Sequence, residues 1–561
     1  MLDATQSKPR RGRGKEHPGS SGERVPTHTP SPLSVLWGSL AAFLLLTPFL
    51  GKPLHMDAPL IVWAAQQIRR SPLDFYGVAV NWFGTTEGLD RILRMPPLFS
   101  MMVAPFVTHE RVLPLLPFAG AVVAALGIGV LAREWGAHPL WAGVAAVCTP
   151  AFVVCGSLVM PDMALLAFWT WAVVFQVKGH KRPVWWVAAA LCATGAVLTK
   201  YSGLAVVPLL ALYSWRREQR LSPGLWALAL PIIAMGTYQV HTGRLYGQGL
   251  FTEAAGYAFG YAPHTLGWFA RKTMTTLSFS GGGFAVALFF LPLLWSGKTI
   301  ARWAWGAVAV GAMALFLGSF ESFSFLTPTH IRWGALAQMA LWVTGGAHLL
   351  TLAWMEWRFR RDAASLTVFA WLAGTMAFAA WFNWSVTVRA LLPATPAVGI
   401  VLAWRAQRLQ LSPKKWVWAL VPAVGVALAA GGADARLAWA ARETARQAAL
   451  QKNAGETMWF EGHWGFQYYL EKTGARAVDY ERIQITPRDI LLIPLNNIRV
   501  VFPDRNQMDL IATLSVPGPF GLTVHHGALG AGFHSDYWGP LPLSLGRVPP
   551  EKTLILRPRV Q

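Results

Sequence analysis

The sequence predicts an all-α polytopic membrane protein of about 13 transmembrane helices with a small C-terminal α/β domain, on three observations. Of 561 residues, 54% are hydrophobic and only 13% are charged, about half the charged share of an ordinary soluble domain. Apolar runs close to the roughly 20 residues that cross a bilayer recur between Leu33 and Ala433. From Asp434 onward the chain turns mixed and polar. The formal charge of +21 is dispersed between the apolar runs, as the positive-inside rule requires, and does not form the compact basic face of a nucleic-acid binder.

Residues 1–32 carry Arg10, Arg11, Arg13 and Lys15 among Pro, Ser and Gly, a composition that buries no core and reads as a disordered basic cytoplasmic tail. The apolar run from Leu33 ends in Gly51-Lys52-Pro53, so it is read as a retained span and not as a cleavable signal. Breaking the apolar runs at charged clusters gives spans near 33–50, 112–132, 139–157, 163–177, 183–199, 202–215, 224–240, 273–296, 303–320, 333–354, 363–383, 390–404 and 416–433. With the N-terminus inside, the inner connections hold Arg133, Lys178, Lys181, Arg182, Arg216, Arg217, Arg220, Lys298, Arg302, Arg358, Arg360, Arg361, Arg405, Arg408, Lys414 and Lys415. This parity puts residues 51–111, as a long first loop, and residues 434–561, as a soluble α/β domain, on the extracytoplasmic side. Within the loop, Pro59 to Arg70 reads as an amphipathic surface helix and Pro96 to Val107 as an interfacial or re-entrant one. In the tail, Ile490–Pro494 reads as a strand and Phe466–Glu471 as a helix. Cys148, Cys155 and Cys192 all lie in apolar segments without a CxxC spacing, so no dithiol or metal site is read from them.

Four ionisable residues fall at the outer ends of spans in this topology. Asp57 follows the first span in His55-Met56-Asp57-Ala58-Pro59, and Asp162 opens another in Val159-Met160-Pro161-Asp162-Met163. Lys200 interrupts Leu198-Thr199-Lys200-Tyr201-Ser202, and Arg389 precedes Ala390-Leu391-Leu392-Pro393. A carboxylate beside hydrocarbon is costly unless paired, which marks it for function; the plainer alternative is that each Asp caps its helix. Similarly, each cation either binds an anionic oxygen or snorkels to lipid headgroups. Together, two carboxylates and two cations suit transfer of a sugar from a lipid phosphate: the cations stabilise the departing phosphate, and a carboxylate takes the acceptor's proton. With no Gly-rich nucleotide loop in the sequence, the donor is expected through the membrane. The aromatic run Phe460–Tyr469 reads as packing of a small core, with sugar stacking as the alternative.

Asp57, Pro96-Pro97-Leu98, Pro161-Asp162, Leu198-Thr199-Lys200-Tyr201-Ser202-Gly203-Leu204 and Arg389 before Leu-Leu-Pro stand in an order that resembles the glycosyltransferase-C superfamily. The resemblance is to the glycosyltransferase family 39 and aminoarabinose lipid A transferase-like group, related to protein O-mannosyltransferases. It implies an inverting membrane glycosyltransferase, bacterial and facing the extracytoplasmic side, that uses a polyprenyl-phosphate sugar donor and a lipid, glycan or protein acceptor. By the same resemblance Asp57 and Asp162 are the catalytic acidic positions. Many members have Asp-Glu where this chain has Asp57-Ala58, and Glu-Lys-Pro-Pro where it has Arg94-Met95-Pro96-Pro97. Donor-phosphate binding is therefore assigned to Lys200, Arg389 and Arg94, with His264 as a substrate or metal contact. No cofactor is read from the residues, and a divalent metal is the one class left open. The alternative classes are a transporter or flippase and an inactive membrane scaffold, although no internal repeat of the transporter kind is visible.

Overall fold

The computed structural model describes residues 31–219, 223–260, 263, 265–482, 485–504 and 506–559. The expected tail at 1–32 lies almost entirely outside the described residues, as does His264. Six described helices are each long and apolar enough to cross a membrane: Pro32–Phe49, Glu110–Glu134, Gly297–Leu317, Trp333–Arg360, Ala363–Phe382 and Pro413–Gln451. Two bent pairs raise this to eight if each is one span. The protein is thus a multi-pass helical membrane protein, and the other expected spans appear as shorter or more polar helices, Val184–Thr199 and Val206–Glu218 among them.

The two bends have local causes. Pro139–Val147 and Pro150–Gly156 meet at 67°. The residue before a proline is driven out of the helical region, and Thr149 is extended at φ −128°, ψ 144° while its hydroxyl accepts the Phe152 N–H. Leu266–Gly283 and Val286–Leu294 meet at 85°, just after Gly281-Gly282-Gly283, whose lack of side chains weakens the helix and admits close neighbours.

Those glycines also bring Leu266–Gly283 against Trp333–Arg360. A Cβ at Gly281 would lie 1.8 Å from the Trp342 carbonyl oxygen, and one at Gly346 would lie 2.1 Å from the Leu277 carbonyl oxygen. Small residues at such crossings let backbones approach where no hydrophobic force drives helices together in lipid.

The connections rich in Lys and Arg meet at one end of the helices. Arg216 donates to the Arg361 carbonyl at 3.3 Å, Arg360 donates to the Trp135 carbonyl at 3.3 Å, and the His138 N–H donates to Gln407 at 3.0 Å. The helix Asp162–Gly179 has Lys178 at this end and Asp162 at the other, about 24 Å away at 1.5 Å per residue.

The first loop is ordered. It contains the helix Ala58–Arg70, a hairpin pairing Ala79–Asn81 with Thr86–Gly88, and the helix Leu98–Val103. The expected surface helix is in fact largely covered: Leu60, Ile61, Val62, Ala64, Ala65 and Ile68 are buried, and Gln67, expected on the polar side, is buried and donates to Asp74 at 3.2 Å. Its apolar face shares one cluster with Phe460, Leu470 and Ile490 of the C-terminal domain, and the neighbouring hairpin is bonded to that domain too. Asn81 donates to the Val478 carbonyl, Gln467 donates to the Asn81 carbonyl, and the Tyr480 N–H donates to the Gly84 carbonyl.

The C-terminal sheet has five strands in the order Arg476–Ala477, Met458–Phe460, Ile490–Pro494, Glu551–Pro558, Met508–Val516. The first three run parallel, and Glu551–Pro558 is antiparallel to both of its neighbours. Ile490–Pro494 is buried at every residue, as a central strand covered on both faces should be. The expected helix at 466–471 is present as Gly465–Lys472.

Two features join this sheet to the membrane helices. The last helix runs 39 residues, Pro413–Gln451, through the expected boundary at 433/434, because the Ala- and Arg-rich sequence after Gly432 keeps helix-forming residues in phase. At about 58 Å it outreaches a hydrocarbon core of about 30 Å. Residues 522–545 then return to the helices: Leu522, Val524, Phe533, Leu541 and Leu543 share their apolar core. The Val388 N–H donates to the Phe533 carbonyl, and the indole of Trp342 donates to the Leu543 carbonyl.

Gly346→Val is expected to force the two glycine-lined helices apart and to cost about 1–3 kcal/mol. A melting curve in detergent should show a lowered Tm, whereas Gly334→Ala on the same helix, with nothing within 4 Å of its added Cβ, should leave it unchanged.

Candidate active site

Four of the expected site residues come together at the helix ends opposite the basic connections. Asp57 stands at the start of Ala58–Arg70 after a turn in which Met56 takes φ 49°, a conformation non-glycine residues rarely adopt. Lys200 ends Val184–Thr199 in an extended conformation, which separates that helix from the turn Tyr201–Ala205. Arg389 lies on the short helix Val388–Leu391, whose start is fixed by Thr387 accepting the Ala390 N–H at 2.9 Å.

The carboxylate of Asp162 is the junction. One oxygen accepts from Lys200 Nζ at 2.8 Å and the other from Arg389 Nε at 3.0 Å. Arg389 Nη1 then reaches Asp57 at 3.6 Å. Asp162 has a side chain only 1% exposed, whereas Asp57 is 37% exposed. The result is a line of alternating charge, Asp57–Arg389–Asp162–Lys200, buried in its middle and open at Asp57. The capping alternative is not the role these side chains take: Asp57 makes no side-chain cap hydrogen bond, and the cap of the Asp162 helix is Pro161.

Arg94 is held elsewhere. It pairs with Glu253 at 3.1 Å, and its guanidinium lies 3.9 Å over the Tyr257 ring. The short helix Leu89–Ile92 delivers it to Leu250–Gly260 rather than to the Asp57 line.

A second buried polar group was not legible in the sequence. Asp434, wholly buried in Pro413–Gln451, accepts Lys52 Nζ on one oxygen and faces two histidines with the other: His534 Nε2 at 2.8 Å and His55 Nε2 at 3.6 Å. Lys52 also donates to Ser157 at 3.1 Å. A third group pairs Lys272 with Asp536 at 2.6 Å and with Glu321 at 2.9 Å, while Asp536 also accepts from Ser385 at 2.8 Å. The one signal for the second group was a carboxylate at the end of an apolar run, which is costly without a partner. Its partners lie 382 and 100 residues away, so no spacing rule announces them.

In the aromatic run of the sheet domain, Trp464 packs edge-on to His525 at 5.1 Å and Phe460 edge-on to Phe466 at 6.2 Å. Glu461 is buried there and accepts the Val501 N–H; burial pushes its carboxyl up to about 7.

With this geometry in view, residues 98–237 match the family model described as dolichyl-phosphate-mannose-protein mannosyltransferase. This stretch is protein mannosyltransferase-like. It includes Asp162 and Lys200 but neither Asp57 nor Arg389. Comparison with curated proteins gives no match. Among solved structures the chain is similar to ArnT from Cupriavidus metallidurans bound to undecaprenyl phosphate, at 16% identity, 86% of this chain, 95% of that chain and a TM-score of 0.43. It is also similar to the Archaeoglobus fulgidus oligosaccharyltransferase tethered with an acceptor peptide, at 13% identity, 80% of this chain, 64% of that one and a TM-score of 0.42. A third likeness is to the arabinofuranosyltransferase AftD from Mycobacteria, at 13% identity, 94% of this chain, 40% of that one and a TM-score of 0.35.

Two outcomes are expected from these charges. Asp162→Ala strands two cations at a buried site and should destabilise the protein by about 3–5 kcal/mol, read as a fall in Tm. Glu461 has a folded pKa above its ordinary 4.5, so the stability it contributes is complete below that value and is lost as pH rises through about 7. Glu461→Gln, which still accepts the Val501 N–H, should flatten the dependence of Tm on pH across that window.

Proposed function

We propose that this protein is a membrane glycosyltransferase that moves a sugar from a polyprenyl-phosphate donor to an acceptor hydroxyl, with inversion, on the extracytoplasmic side of a bacterial inner membrane. The observation that carries this reading is the line Asp57–Arg389–Asp162–Lys200, with an accessible carboxylate at one end and its charges fixed by a buried one. The family match over residues 98–237 supports a polyprenyl-type phosphate donor. The gathering of basic connections at the opposite end supports an inside location for that end and an outside one for the site and the C-terminal sheet.

Asp57 takes the proton of the acceptor hydroxyl as that oxygen attacks the anomeric carbon. The bond from the anomeric carbon to the phosphate oxygen breaks with its electron pair going to the phosphate, and attack from the opposite face inverts the configuration. Arg389 and Lys200 stabilise the charge that develops on the leaving phosphate. Asp162 does not reach substrate in this scheme. It is a positioning residue that holds both cations in register, since a buried cation without a partner would be expelled towards water.

The test is release of lipid phosphate from a panel of radiolabelled polyprenyl-phosphate sugars in reconstituted membranes. Asp57→Asn should fold with unchanged Tm and lose about 10²–10⁴-fold in rate; a fully active Asp57→Asn overturns the assignment. Lys200→Ala should raise KM for the donor more than for the acceptor, and an unchanged donor KM leaves Lys200 as a partner of Asp162 alone.

A further inference from the structure

Beyond the Asp57 line, the group around Asp434 has a composition the transfer reading does not use. His55 follows the first span, Asp434 lies in the last long helix, and His534 lies in the returning C-terminal segment. Each offers one ligand atom, and these three atoms all lie within 4.8 Å of one another. All three side chains are buried, Asp434 completely. An independent observation points to a ligand: the ligand atom His55 Nε2 and both ring nitrogens of the neighbouring His525 are buried with no hydrogen-bond partner. Unmet polar atoms in an interior are costly. His525 stands beside the group, its ring centre 6.4 Å from that of His534. His55 and His525 also line a small cavity of about 50 Å³, together with Asn496 and Glu551.

We propose that His55 Nε2, Asp434 Oδ1 and His534 Nε2 bind one zinc ion, with the fourth position at the His525 side of the cavity. Two imidazoles and one carboxylate form a ligand set suited to zinc. The 3.6 Å between His55 Nε2 and Asp434 Oδ1 is already close to the roughly 3.4 Å spacing of tetrahedral ligands at 2.0–2.2 Å from the metal. The 2.8 Å between His534 Nε2 and Oδ1 opens by about half an ångström on binding. The Nε2 hydrogen that His534 gives to Asp434 shifts to Nδ1, so the ring stays neutral and no proton is lost. Lys52 remains on the other carboxylate oxygen, where it orients Asp434 and lowers metal affinity by its like charge. One ion would thus tie the first loop, the last membrane helix and the returning segment together.

The experiment uses the full chain in detergent, stripped with a chelator and titrated with Zn²⁺ alone. The expected result is one equivalent bound by elemental analysis and a rise in Tm. His55→Ala and His534→Ala should lose that equivalent, whereas His330→Ala, an exposed histidine, should keep it. Lys52→Met should bind Zn²⁺ at least about tenfold more tightly. Because the histidine variants can fail through misfolding, X-ray absorption of the zinc-loaded parent chain gives a second readout: imidazole scattering with nitrogen and oxygen neighbours is expected. Less than a tenth of an equivalent in the parent, full binding in both histidine variants, or absorption without imidazole scattering would each overturn the site.

Discussion

A charge taken out of water must be met by another, and the helical body is arranged around that requirement. Asp162 sits at the start of a membrane helix with each oxygen on a separate cation, one from the end of Val184–Thr199 and one from the short helix Val388–Leu391. Neither cation is stable there without the carboxylate, nor the carboxylate without both. This contact draws together segments spanning 227 residues and leaves Asp57, at the far side of Arg389, as the carboxylate open to solvent. In the proposed mechanism the inner carboxylate organises and the outer one reacts, a division between two acids of the same type that rests on their different exposure.

The same requirement fixes the C-terminal segment. The sheet of Met458–Phe460 and its neighbours does not merely follow the membrane helices. Residues 522–545 turn back and place His534 on Asp434 and Asp536 on Lys272. Apolar contacts of Phe533 and Leu541 in the helical core accompany these pairs, so the return is held by burial and by charge together. The first loop closes the arrangement from the other side, with the Leu54 N–H donating to Tyr469 and Tyr469 in turn donating to Glu110. Loop, last helix and sheet therefore form one cover over the end of the bundle where Asp57 lies.

The residues legible in the sequence were those whose surroundings are local. Asp57, Asp162, Lys200 and Arg389 each interrupt an apolar run or border one, and a charge in such a place stands out in a window of a few residues. The same holds for the strand Ile490–Pro494 and the helix at 465–472, where pattern and length agree. Arg94 was grouped with the phosphate-binding cations by its neighbouring prolines, yet it meets Glu253, which local sequence could not foretell. Gln67 shows the converse: its polar side chain suggested an exposed face, but its bond to Asp74 and the cover from the sheet domain bury it.

Hydropathy, charge spacing and turn residues by themselves determined that this chain is helical, multi-pass, basic at one end of its helices and strand-bearing near its C-terminus. They could do so because span length, helix ends and strand alternation are set by forces between near neighbours and by the thickness of a bilayer. Only the tertiary structure decided that Asp162 is saturated while Asp57 is open, that the last helix passes unbroken through residue 434, and that His55, Asp434 and His534 meet. Those outcomes depend on which distant segments share a buried volume. Pairing of buried charges selects among such arrangements, and it acts between positions whose separation along the chain carries no pattern.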